Sequence, residues 1–129
     1  MPRPYDQACP IARTLDLIGD RWTMLIVRDL FLGKTRFNQF LESSSGLPPK
    51  LLSDRLKKLV DNGLIERSVY SQHPLRAEYH LSERGRTLLP VIEEISRWGF
   101  DNCFDGEAAL RDEVRGRVER AGLSLAPRG

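Results

Sequence analysis

The apolar positions of this chain change period along its length, and each change marks an element. Ile11, Leu15 and Ile18 fall at i, i+4 and i+7, one face of a first helix. Pro10 suits its first position, because proline has no N–H to leave unpaired there. Gly19-Asp20 interrupts the pattern. A second helix carries Trp22, Leu25, Ile26 and Leu30 on one stripe and stops at the Gly33-Lys34 turn. Thr35 is the expected cap of a short third helix with Phe37, Phe40 and Leu41 inward. Ser43-Ser44-Ser45-Gly46 reads as a loop, and Leu47-Pro48-Pro49 as an extended entry to a fourth helix. That helix buries Leu52, Leu56, Leu59 and Val60 and shows Lys50, Ser53, Asp54 and Lys57 on its other side. Asn62-Gly63 ends it, since glycine accepts the left-handed conformation that helix C-termini favour.

The period then becomes two. Ile65, Arg67 and Val69 alternate, as do Ala77, Tyr79 and Leu81, with Ser71-Gln72-His73-Pro74-Leu75 between them as a polar hairpin tip. Ser82 is placed to cap a further helix in which Leu88, Ile92 and Ile95 form a seam continued by Trp98. Pro90 lies inside that seam and predicts a kink or a division there. Leu110, Val114, Val118 and Ala121 give a last amphipathic helix, whose apolar side needs cover from a partner subunit or from the chain's own core. Trp22 and Trp98 are expected in the core. The pattern thus predicts a mainly α fold with a small β-hairpin, an α+β class.

Length and composition bound the rest. The 129 residues, 40% hydrophobic and 29% charged, suit one globular domain with an appended helix. No apolar run approaches the roughly 18 residues that cross a bilayer, and the N-terminus lacks the apolar stretch of a secretory signal. Two cysteines make no disulfide framework. A cytoplasmic protein without a membrane partner is expected. The formal net charge of +2 hides an asymmetry. Residues 21–58 hold Arg21, Arg28, Lys34, Arg36, Lys50, Arg55, Lys57 and Lys58 against Asp29, Glu42 and Asp54, whereas the remainder is acidic. A local basic excess points to an anionic partner.

Catalytic signatures are missing. No Gly-x-Ser-x-Gly, His-Glu-x-x-His or Gly-x-Gly-x-x-Gly occurs. Gly33-Lys34-Thr35 matches the end of a phosphate-binding loop, but Arg28 stands where that motif needs glycine. His73 and His80 read as surface residues of the hairpin region, and no ligand set for zinc is arranged with Cys9 and Cys103. Neither an enzyme nor a metal or cofactor protein is expected.

Helix, tight turn, basic helix and then a two-stranded wing is the order of a winged helix-turn-helix. A helix fits the major groove, a hairpin reaches the flanking backbone or minor groove, and basic residues on both neutralise phosphates. The residues go further, because the stretch from Cys9 to Gly99 resembles the HxlR family of bacterial winged-helix regulators, relatives of the MarR type. Ile18-Gly19-Asp20-Arg21-Trp22-Thr23 is similar to the family's IGGKWT, and Leu32-Gly33-Lys34-Thr35-Arg36-Phe37-Asn38 to its LGPRRFNEL. Leu52-Ser53-Asp54-Arg55-Leu56-Lys57-Lys58-Leu59 is similar to LSERLKEL, and Cys9-Pro10, Asn62-Gly63-Leu64-Ile65, Val69-Tyr70, Pro74, Glu78-Tyr79, Leu81-Ser82, Gly85 and Trp98-Gly99 also match. One departure stands out: Pro48 occupies the place where members carry a capping Ser or Thr.

The resemblance implies a homodimeric regulator that binds double-stranded DNA at a pseudo-palindromic operator, mostly repressing, and dimerises through its N- and C-terminal helices. It divides the chain into an arm (1–8), a winged-helix domain (9–100) and a helical extension supporting the dimer (101–129). It implies DNA contacts from Pro49, Lys50, Ser53, Asp54 and Lys57 of the fourth helix, from Arg36, and from Gln72, His73 and Arg76 at the wing. Thiols at helix N-termini face unpaired N–H groups and gain reactivity, and some members sense oxidants, quinones or aldehydes at the position of Cys9. Cys9 is therefore a candidate sensor, with Cys103 as a candidate resolving thiol, and the effector is an oxidant or a small molecule. A small buried hydrophobe is the alternative role for Cys9. The alternatives for the whole chain are a winged-helix protein-interaction module without DNA affinity and a small enzyme using Cys9 as nucleophile.

Overall fold

A computed structural model of the chain describes residues 8–122. Residues 1–7 of the arm and 123–129 of the extension lie outside them. The first compact unit ends at Arg86 and the second begins at Thr87.

In the first unit, α1 (Pro10–Ile18), α2 (Thr23–Phe31), α3 (Phe37–Ser43) and α4 (Pro49–Asp61) precede the strands β1 (Ile65–Gln72) and β2 (Leu75–Leu81) and the single turn α5 (Glu83–Arg86). The strands pair antiparallel, from Ile65 opposite Leu81 to Gln72 opposite Leu75. They run further than the alternation suggests, leaving only His73 and Pro74 at the tip. Ile26, Val27, Phe40, Leu52, Leu56, Leu59 and Ile65 are all 2% exposed or less and form the core. At the end of α4, Gly63 has φ 72°, and the Leu64 N–H closes on the Leu59 carbonyl at 2.9 Å. Where α5 meets the strand entry, a Cβ on Gly85 would stand 2.0 Å from the Leu64 carbonyl oxygen, so only glycine fits.

Several features depart from the sequence expectations. Arg36, not Thr35, is the residue before α3, and capping comes from Gln39: its Oε1 accepts from the N–H groups of Thr35 and Arg36, both at 2.9 Å. On α1 only Ile18 is buried, while Ile11 and Leu15 are 70% and 53% exposed. In the second unit, Trp98 is 65% exposed, which corrects its expected place in the core; Trp22, in the first unit, is half-buried. Apolar spacing says that a face wants cover, not that the same chain supplies it.

The second unit holds α6 (Leu89–Asn102) and α7 (Ala108–Arg120). Pro90 stands in the first turn of α6, so the predicted division falls just ahead of it, at Thr87 and Leu88. Ser82 caps α5 instead, its Oγ accepting the Gly85 N–H at 3.0 Å. Phe100 stacks on Phe104 at 5.7 Å, and the Arg115 guanidinium lies over Phe100 at 5.3 Å. No residue of α7 is buried.

Two carboxylates fasten the helices that carry the site. Asp29 on α2 is fully buried; its Oδ1 accepts from the Arg28 guanidinium at 3.0 Å and from the Ser43 hydroxyl at 2.8 Å, tying α2 to the end of α3. Asp20 accepts from the backbone N–H groups of Trp22 and Thr23 and from the Thr23 hydroxyl, and takes Arg55 Nε of α4 at 3.0 Å. Burial pushes the Asp20 carboxyl up, but the bonds from Thr23, Trp22 and Arg55 together outweigh it and hold it below the usual carboxylate range. A depressed pKa in the folded state means stability that is present above the unfolded value, near pH 4, and lost as the pH falls through the folded value. Asp20→Ala is expected to lower stability at neutral pH by about 1 kcal/mol, the scale of a lost helix cap. Denaturant titrations from pH 7 to pH 2 should show that deficit shrinking below pH ~4 as the wild-type carboxyl protonates; a constant deficit contradicts it.

Candidate nucleic-acid interface

The buried stripe of α4 dictates what its other side presents. With Leu52, Leu56 and Leu59 inward, Pro49, Lys50, Ser53, Asp54 and Lys57 are all exposed on the outer face. Pro49 is the first helical residue, and Pro48 before it offers no side-chain cap, as its chemistry requires. Five residues, 44–48, join α3 to α4 in a helix-turn-helix arrangement, with the Leu47 N–H closing on the Ser44 carbonyl at 3.1 Å. Lys57 Nζ donates to Asp61 at 2.7 Å, and that hydrogen bond and charge raise its pKa further above the ordinary lysine value. Its positive charge is secure at any physiological pH.

The basic excess of residues 21–58 divides into two roles. Arg28 and Arg55 bind buried or half-buried carboxylates, and Lys58 donates to the Asp16 carbonyl of α1 at 2.7 Å. Lys34 stands 4.0 Å from Asp29. Lys50 and Lys57 face outward from α4.

The wing lies beside that face within the same unit. The Tyr79 N–H donates to the Thr35 carbonyl at 2.8 Å, and its ring meets Phe40 edge-on at 6.5 Å, so β2 is anchored against the start of α3. Gln72, His73 and Arg76 are exposed at the end of the hairpin. Arg36 pairs with Glu78 of β2 at 3.5 Å and lies over the Tyr70 ring at 4.7 Å. Arg36 and Arg76 share a notch of about 460 Å3 with Asn38 and Tyr70. A smaller hollow of about 220 Å3 brings Ser53 and Lys57 of α4 beside Arg67 and Tyr79 of the wing. Tyr70, Arg67 and Glu78 were not singled out as site residues from sequence. Their signal is register, because only the paired strands show which side chains turn toward α3 and α4.

Cys9 stands apart from these residues, immediately before α1, and is half-buried; Cys103, after α6, is exposed. Both are free thiols. Among the described residues no group of three His, Cys, Asp or Glu side chains gathers as a metal site, and no helix is long and apolar enough to cross a membrane.

Comparison with known proteins agrees with this geometry. The HxlR-like helix-turn-helix family model matches residues 17–106. The HTH-type transcriptional regulator YybR of Bacillus subtilis is 36% identical over 99 residues, covering 77% of this chain and 79% of the relative. The regulator Mb3122 of Mycobacterium bovis is 46% identical over 89 residues, and that match spans only 56% of the mycobacterial protein. Among solved structures, the redox regulator HypR in its reduced form matches with a TM-score of 0.70 and 35% identity over 78% of this chain and 99% of that one. The reduced form of the transcriptional regulator YodB from B. subtilis matches with a TM-score of 0.62 and 34% identity, over 75% and 96%. With a family match over most of the chain and a wing set beside an outward-facing basic helix, the protein belongs to the HxlR family of winged helix-turn-helix transcriptional regulators.

Proposed function

We propose that the chain is a sequence-specific, homodimeric regulator that reads a pseudo-palindromic operator in double-stranded DNA and represses by occupying a promoter. The observation that carries this reading is the outer face of α4, where Lys50, Ser53, Asp54 and Lys57 are exposed beside a wing bearing Gln72, His73 and Arg76. Serine can accept or donate at base edges and aspartate can accept there, the lysines neutralise phosphates, and Pro49 offers apolar contact. Two such helices about 34 Å apart would enter successive major grooves. Residues 9–100 form the reading domain, and 101–129 support the dimer. Such a regulator works in the cytoplasm, where it meets promoter DNA.

Two uncovered apolar faces support dimerisation: Ile11 and Leu15 on α1, and, in the second unit, Val91, Ile95 and Trp98 on α6. A second copy of the chain is the partner that would cover them. The wild-type protein should sediment at twice its 14.8 kDa. Lys50→Ala combined with Lys57→Ala should weaken duplex binding and reduce its salt slope by about two counterions. Unchanged affinity and slope would remove α4 from the interface.

Control of this activity by thiol oxidation, or by a small molecule bound near the dimer interface, completes the reading. Cys9 is the residue immediately before α1, the helix expected at the interface, and a redox regulator is among the structures that this chain resembles. Cys103 is the partner thiol that an oxidised Cys9 would meet across subunits. Diamide or peroxide treatment should modify Cys9 in mass spectra and change duplex affinity, and Cys9→Ser should abolish the change. A Cys9 thiol left intact at millimolar oxidant contradicts the sensor role.

A further inference from the structure

Tyr70 is an aromatic residue for which the hairpin itself has no use. The strand register slips between Val69, opposite Ala77, and Ser71, opposite Arg76, so Tyr70 is the extra residue of a bulge and has no cross-strand partner. Bulges re-aim side chains. Here the ring, 44% exposed, lies beneath the guanidinium of Arg36, with the guanidinium carbon 4.7 Å from the ring centre. Glu78 of the adjoining strand takes the same guanidinium at 3.5 Å. The stack occupies one flat face of the group and leaves its remaining in-plane N–H donors open to the notch, where Asn38 and Arg76 also stand.

We propose that Tyr70 is a positioning residue for DNA binding: its ring holds Arg36 at the mouth of the notch so that the guanidinium meets one backbone phosphate of the duplex. The inference rests on the DNA-binding reading above. A long arginine side chain loses rotamer freedom when it binds, and a side chain already stacked loses less. The wing therefore contributes more than a second set of charges. It prearranges a charge that α3 carries, and its own anchor, the Tyr79 N–H on the Thr35 carbonyl, keeps ring and guanidinium in register.

The test uses the full chain and a fluorescently labelled duplex enriched from a random pool by the wild-type protein, with affinity followed over a series of salt concentrations. Arg36→Ala should weaken binding and reduce the salt slope by about one counterion. Tyr70→Leu should weaken binding about two- to fivefold, the ratio equivalent to an exposed cation–π contact. Tyr70→Phe, which keeps the ring, should bind as wild type. Tyr70→Leu added to Arg36→Ala should cost nothing more, which neither a misfolded wing nor an independent contact would produce. Equal losses with and without Arg36, a Tyr70→Phe variant as weak as Tyr70→Leu, or a Tyr70→Leu variant of full affinity each overturn the positioning role. If the wild-type protein enriches no duplex, the DNA-binding reading itself falls, and this inference with it.

Discussion

Burial of the leucine stripe on α4 is the constraint on which the rest of the structure depends. Leu52, Leu56 and Leu59 are 0–2% exposed, and each such side chain contributes about 2 kcal/mol by leaving water. With that side committed to the core, the helix has no rotational freedom, and Lys50, Ser53, Asp54 and Lys57 must face out. The polar ties then set its attitude. Arg55 reaches Asp20 at the entry to α2, Lys58 reaches the Asp16 carbonyl of α1, and α2 is locked to α3 through Asp29 and Ser43. A reading head has to be rigid before its side chains meet a groove, because every degree of freedom left open is lost on binding.

The same arrangement explains how a chain with a net charge of only +2 presents a basic surface. Arg28, Arg55 and Lys58 lie in the basic segment yet hold the helices together, whereas Lys50 and Lys57 on α4 and Arg36 and Arg76 at the notch are exposed. Apart from Arg76, structural and outward charges come from the same stretch, residues 21–58. On α4 the packing of the leucine stripe turns Lys50 and Lys57 outward, whereas on α2 the buried Asp29 takes Arg28.

Periodicity made most of the fold legible in the sequence. The leucine spacing of α4, Gly63 after it, the change to a period of two and the proline at the head of α6 all describe local preferences that packing then reinforced. What escaped depends on geometry between elements. Asp20 reads as part of a break after α1, yet it caps α2 and binds Arg55, because its partner is 35 residues away. Tyr70 reads as one more strand residue, and its role at Arg36 follows from a bulge that only the paired register reveals. Ile11, Leu15 and Trp98 look like core positions because their spacing is apolar, yet all three are exposed, since spacing records that a face wants cover and not what covers it. The outer face of α4 was legible because a helix with one buried stripe has only one other side.

The proposed function requires two copies of α4 to read one operator. Selection of bound duplexes from a random DNA pool by the full-length chain tests it most directly. A dimeric reading head should enrich a pseudo-palindrome whose half-sites lie about one helical turn apart, near 10 base pairs centre to centre. Enrichment of a single unpaired half-site, or of no sequence at all, would contradict it.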